Sequence, residues 1–171
     1  DKALLRLTSA VNGYRLLEPG MRIPSFSLKL RANAFTKDKA DSIVTETSFK
    51  GRELLIMFWA TWNNDSRNCH YYARRLCKKI SSKVPAVLSY SLDTNEEDLC
   101  TAEARDTITY ASFCDYKAFA SPMVQNWGIN SLPFYVYLDG NGKILASGTD
   151  WTKDIESVLK QNWEADSLKV K

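Results

Sequence analysis

The run Leu54-Leu55-Ile56-Met57-Phe58-Trp59 constrains this chain more than any other segment. Consecutive apolar side chains without polar alternation require an extended segment to be buried on both faces. A strand of that kind belongs in the middle of a sheet with helices packed on either side. The residues that follow agree. Asn64-Asp65-Ser66 offers side chains that cap a helix start. Cys69, Tyr72, Ala73, Leu76, Cys77 and Ile80 then recur at the spacing of one helix face. The pattern predicts a helix from Asn64 to about Ser82, with Pro85 as its stop.

The remaining segments extend this into an α/β order. Ile23–Leu28 and Ile43–Thr45 read as strands, joined by a polar connection over Asn33–Ser42. Ala86–Leu92 is a strand that ends at Asp93. Thr94–Asp106 is a helix with acidic residues in its first turn, where the helix dipole favours them. Tyr110–Asp115 is extended, and Ser121–Trp127 is a short helix closed by Gly128. Phe134–Leu138 and Lys143–Ala146 form a hairpin around Asp139-Gly140-Asn141-Gly142. Trp151–Trp163 is a terminal helix. The fold class expected is a central mixed β-sheet flanked by helices. Residues 2–17 read as a helix interrupted near Asn12-Gly13, and Glu18-Pro19-Gly20 as a break. The division expected is therefore an extension over 1–19 and a domain over 20–171.

The chain has 171 residues, with 23 basic and 20 acidic side chains and a net charge of +3. That charge is too small to argue for nucleic acid or a membrane surface. No run reaches the roughly 20 apolar residues of a membrane span, so an anchor would have to lie outside this chain. Four cysteines and one histidine show no metal-ligand spacing, and neither a metal nor a cofactor is expected. Cys69 and Cys77 on one helix would be separated by a rise of about 12 Å, beyond disulfide reach. Cys100 and Cys114 flank the second helix and are the pair that could meet. Cys69 has two readings, a small core residue or a relocated thiol near a groove. His70, next in sequence, is expected at the surface or a groove edge.

Phe58-Trp59-Ala60-Thr61-Trp62 resembles the segment preceding the Cys-x-x-Cys motif of thioredoxin-fold proteins of the TlpA/ResA type. Other pieces follow in the same order. Pro24, Phe26 and Leu28 resemble the first strand, and Phe49-Lys50-Gly51-Arg52 the turn before the central strand. Trp127-Gly128-Ile129 with Leu132-Pro133 resembles the proline segment, and Leu138–Ile144 the hairpin. The resemblance covers roughly residues 20–163. It implies a thioredoxin-like fold, thiol–disulfide exchange as the family chemistry, and a cis Leu132–Pro133 bond beside the motif. It also implies an extracytoplasmic, bacterial cell-envelope setting.

Asn63 and Ser66 stand where the resemblance places the two cysteines. An amide has no ionisable nucleophile, and an unassisted serine hydroxyl is a poor one near neutral pH. Met57 stands where many thioredoxins bury an Asp, and Cys69 where the ResA type has a Glu. Asp65 would set a negative charge where the family forms its thiolate. The expectation is a domain without dithiol activity that binds an extended peptide or partner protein. Its groove would be formed by Trp62, Asn63, Asn64, Asp65, Leu132, Pro133 and Phe134. The alternatives are a thiol–disulfide oxidoreductase or mixed-disulfide former using Cys69, and a structural domain of a cell-envelope protein.

Overall fold

A computed structural model of the protein describes residues 16–33, 37, 41–79 and 85–168, without the side chains of 77–79 and 163–168. The expected helix over 2–17 falls almost wholly outside the described residues. So do the end of the motif helix and the side chains of Cys77 and Ile80.

The apolar run folds as β3 (Leu54–Trp59), and every one of its residues is buried. It lies at the centre of a five-stranded sheet with β4 (Ala86–Ser91) and β5 (Ala111–Phe113) on one side. On the other side are β6 (Phe134–Leu138) and β7 (Ile144–Gly148). β3, β4 and β5 are parallel, whereas β6 and β7 run antiparallel. A separate pair, β1 (Ser27–Lys29) and β2 (Ile43–Thr45), is antiparallel. Between the strands come α1 (Asn64–Lys79), α2 (Glu96–Arg105) and the short α3 (Pro122–Asn126). The chain closes with a π-helical turn over Trp151–Glu156 that leads into α4 (Ser157–Leu168).

Two apolar clusters cover the two faces of the sheet, and β3 contributes to both by alternation. Leu54, Ile56 and Phe58 face one with Trp127 and Ile129, while Leu55, Met57 and Trp59 face the other with Cys69, Ala73 and Leu76. This is the two-sided burial that the unalternated run predicts.

Both outer strands carry neighbours. On the β5 side, Arg31 N donates to Ser112 O. On the β7 side, Gly20 N donates to Ile144 O and Ile144 N donates to Met21 O. Leu17 is buried, and its carbonyl accepts from Ser147 Oγ. Leu17, expected in the extension, therefore packs into the domain.

Two elements differ from expectation. The first strand starts at Ser27 rather than Ile23, because Pro24 lacks an N–H and Phe26 N donates to the Glu46 carboxylate at 3.0 Å instead. The terminal helix opens with a widened turn. Asp150 caps it through Thr152 N and Lys153 N, and the turn seats Trp151 against Tyr72 in a stack at 5.0 Å.

Candidate functional site

The register fixes where the motif sits. Phe58 of β3 pairs with Phe134 of antiparallel β6. The loop leaving β3 and the loop entering β6 therefore emerge at the same end of the sheet. The first carries Thr61 to Asn63, and the second carries Leu132-Pro133, whose peptide bond is cis.

The turn between β3 and α1 is held by its own polar groups. Asn63 Oδ1 accepts from Ser66 N at 2.8 Å, an N-cap bond that satisfies one of the helix's unpaired donors. Ser66 is fully buried. Its Oγ accepts from Ala60 N at 3.0 Å and faces the carbonyls of Asn63 at 2.8 Å and Ala60 at 3.2 Å. A hydroxyl has one proton, and here it is spent on a backbone carbonyl. Asp93, buried at the end of β4, accepts from Thr61 N at 3.0 Å, Thr61 Oγ at 2.6 Å and Ser91 Oγ at 2.5 Å. The carboxylate thus binds the motif loop to the neighbouring parallel strand.

Ser66 and His70 share one face of α1, a spacing that in other settings gives a nucleophile and its base. Among the described residues no hydrogen bond joins them. His70 Nδ1 faces Tyr110 Oη at 2.5 Å and Cys69 Sγ at 3.6 Å. Its Nε2 is buried without a hydrogen-bond partner among the described residues. The Trp59 indole stands nearly perpendicular to the imidazole, with ring centroids 4.2 Å apart, and its Nε1 donates to Ser89 Oγ at 2.6 Å. Burial lowers the His70 pKa to about 3; Asp106 opposes this and Arg74 and Arg67 add to it. An imidazole that stays neutral to such acidity neither charges nor shuttles protons near pH 7.

These positions correct three expectations, for His70, the Cys100–Cys114 pair and Phe134, and give Cys69 the first of its two readings, a small core residue. His70 is 1% exposed rather than at a surface or groove edge, because Tyr110 and Trp59 enclose it. Cys69 is 0% exposed and belongs to the apolar cluster beneath the sheet. Burial pushes its thiol pKa well up and the Asp106 charge pushes it further, so the thiolate that exchange requires is disfavoured. Cys100 and Cys114 are both free thiols. Cys100 is exposed and accepts from Arg31 Nη2 at 3.4 Å, whereas Cys114 turns inward to donate to Asp93 O at 3.4 Å. Finally, Phe134 is buried against Phe58 and presents no side chain to a groove.

The remaining groove residues are accessible. Trp62 is 58% exposed. Asn64 and Asp65 are exposed, while Asn63, Leu132 and Pro133 are half-buried. One neighbour was missed by sequence reasoning. Phe119, on a 3-10 turn over Ala118–Ala120, is 38% exposed with its ring 6.4 Å from that of Trp62. The only signal for it in the sequence is an aromatic residue in the short connection between Asp115 and Ser121.

No protein-family model and no curated protein matches the chain. Solved structures do. A C-terminal domain from Bacteroides thetaiotaomicron, named provisionally as that of a thiol-disulfide oxidoreductase, matches with a TM-score of 0.69 and 29% identity over 87% of this chain and 95% of that one. A thiol-disulfide oxidoreductase from Bacteroides fragilis matches with a TM-score of 0.66 and 26% identity over 86% and 98%. The thioredoxin domain of a thiol-disulfide oxidoreductase from Bacteroides vulgatus matches with a TM-score of 0.68, but its 21% identity speaks for the fold alone. The sheet order, the motif turn between β3 and α1, and these matches along nearly the full length of each chain show a thioredoxin-like fold, similar to that of bacterial thiol-disulfide oxidoreductases.

Proposed function

We propose that this domain has lost dithiol exchange and retains the groove of its fold as a binding surface for an extended peptide segment of a partner protein. The observation that carries the reading is the Ser66 hydroxyl. It occupies the resolving position of the motif, is fully buried, and is committed as both acceptor and donor to the backbone of its own turn. Nothing at Asn63 replaces the attacking thiol, and Cys69 is enclosed in the core.

The opposite is true of the groove. Trp62 and Phe119 stay exposed and pair with each other, with Trp62 on the loop that emerges at the same end of the sheet as Leu132-Pro133, and large exposed aromatics carry much of the energy of protein recognition. An extended segment would lie along the Leu132–Pro133 backbone by strand-like pairing, with Trp62 and Phe119 taking an apolar side chain. The family resemblance supports a setting outside the cytoplasm, in a bacterial cell envelope.

A paired assay tests this. The wild type and Cys69→Ser should both fail to accelerate dithiothreitol-driven reduction of insulin. A library of extended peptides should perturb Trp62 fluorescence, and Trp62→Ala should abolish capture of the selected peptides. Cys69-dependent turnover would sink the reading. So would peptide capture that survives Trp62→Ala.

A further inference from the structure

At the pole of the sheet opposite the motif, the structure holds a cleft of about 480 Å3, within the range of small-molecule sites. Leu54 pairs with Leu138 at this end of β3, so the length of a six-residue strand, roughly 20 Å, separates the cleft from the groove. Its walls come from three segments: Arg22 and Ser25, Glu46, Thr47 and Lys50, and the β6–β7 turn.

The turn is preorganised. Asp139 Oδ1 accepts from Asn141 N at 2.8 Å and from Lys143 N at 2.9 Å. Gly140 abuts Gly51 so closely that a Cβ would sit 2.8 Å from the Gly51 carbonyl carbon. One wall is therefore bare backbone, continued by the buried Ile23.

The functional groups on this frame are of two kinds. Arg22 and Lys50 have no ion-pair partner among the described residues. They stand beside hydrogen-bonding groups: the Ser25 and Thr47 hydroxyls, the Asn141 amide and the Glu46 carboxylate. Glu46 uses Oε2 for Phe26 N–H, which holds the carboxylate in place. Two unpaired cations suit an anionic group. The fixed carboxylate repels a bare anion but accepts from a hydroxyl.

We infer that this cleft binds a small polyhydroxylated anion, a sugar acid or a sugar phosphate. The anionic group would lie between Arg22 and Lys50. The hydroxyls would reach Glu46, Thr47 and Asn141, and the ring would lie against the Gly140–Gly142 backbone. This site is independent of the groove, and its failure would leave the groove reading untouched.

The test is a 15N NMR titration of the full chain with glucuronate, glucose 6-phosphate, glucose and acetate. The expected result is saturable shifts at Ser25, Thr47, Asn141 and Gly142, with a Kd on the order of 1 mM for one of the two hydroxylated anions. Which of the two binds more tightly separates carboxylate from phosphate. Glucose and acetate should bind at least about tenfold more weakly, since each offers only half of the recognised chemistry. Arg22→Gln with Lys50→Gln should weaken the anions by about tenfold or more, and Thr47→Val should weaken the hydroxylated anion but not acetate. Both cations are exposed, so the variant spectra should keep the dispersion of the folded domain. The proposal fails if neither hydroxylated anion gives saturable shifts at these residues, or if acetate binds as tightly as glucuronate. It fails also if the double variant titrates like the wild type.

Discussion

The motif turn and the pocket one helical turn further along α1 both carry residues that read as chemical in sequence, yet they hold them in opposite states. In the turn, Asn63 and Ser66 sit at the start of the helix, and the polar contacts described there close onto the protein's own backbone. In the pocket, Cys69 and His70 are shut away from solvent, and His70 Nε2 has no hydrogen-bond partner among the described residues. The first borders the groove but is chemically spent, with Asn63 half-buried and Ser66 buried. The second is chemically equipped but sealed and held neutral. A reactive residue type becomes a reactive group only when access, a proton partner and a suitable pKa coincide. Neither region meets all three conditions.

The largest expected effect comes from the sealed pocket. His70 has a folded pKa of about 3 against an ordinary 6.5. The unfolded chain therefore binds the extra proton between those values, and stability present above pH 6.5 falls as the pH drops toward 3. The slope is about 1.4 kcal/mol per pH unit within the window, or roughly 2 kcal/mol by pH 5. Denaturant unfolding across that range should show the loss, and His70→Phe should flatten it. A pH-independent difference between the two proteins would mean that His70 takes up its proton in the fold as readily as in the unfolded chain.

Smaller effects test the motif turn. Ser66→Ala leaves the buried Ala60 N–H without its acceptor and should cost about 1–3 kcal/mol of unfolding free energy. Asn63→Ala removes only an N-cap and should cost about 1 kcal/mol. If Ser66→Ala were neutral, the hydroxyl would not be the staple of this turn.

Thiol labelling sharpens the comparison without perturbing the fold. In the native state Cys100, exposed beside Arg31, should react with a disulfide reagent, while Cys69 should react only after unfolding. The smallest effect belongs to Trp62→Ala. A half-exposed side chain at the groove edge should change stability by no more than about 0.5 kcal/mol, while removing the peptide binding proposed for the groove.

Much of this was legible in the order of residues. The unalternated run at Leu54–Trp59 could be satisfied only by two-sided burial, and the hairpin at Asp139–Gly142 by its turn chemistry. The structure follows both. The buried face of α1 was legible only in part. Cys69, Ala73 and Leu76 follow from their spacing, whereas the same geometry turns His70, the next residue, about 100° away, toward an expected surface or groove edge. A pocket can bury an imidazole when a phenol such as Tyr110, 40 residues away in sequence, meets it, and no local pattern carries that information. The Cys100–Cys114 pairing failed for a related reason. Flanking one helix makes two cysteines neighbours in sequence order, but the rotation of each side chain depends on Arg31 and Asp93, which arrive from elsewhere. Phe119 escaped notice because its partner Trp62 lies on a different loop.

The neighbours that flank β5 and β7 have a consequence for the domain's behaviour in a crowd. A bare outer strand is a template onto which another copy can add, and that is how sheet proteins aggregate. Here segment 16–22 lies along one margin and Arg31 closes on the other. Copies of this domain held at high density, as tandem modules or on a surface, should stay separate from one another. Self-association should rise with concentration only in variants that free the 16–22 segment from β7, such as Leu17→Asp, which places a charge in the buried seat of that segment.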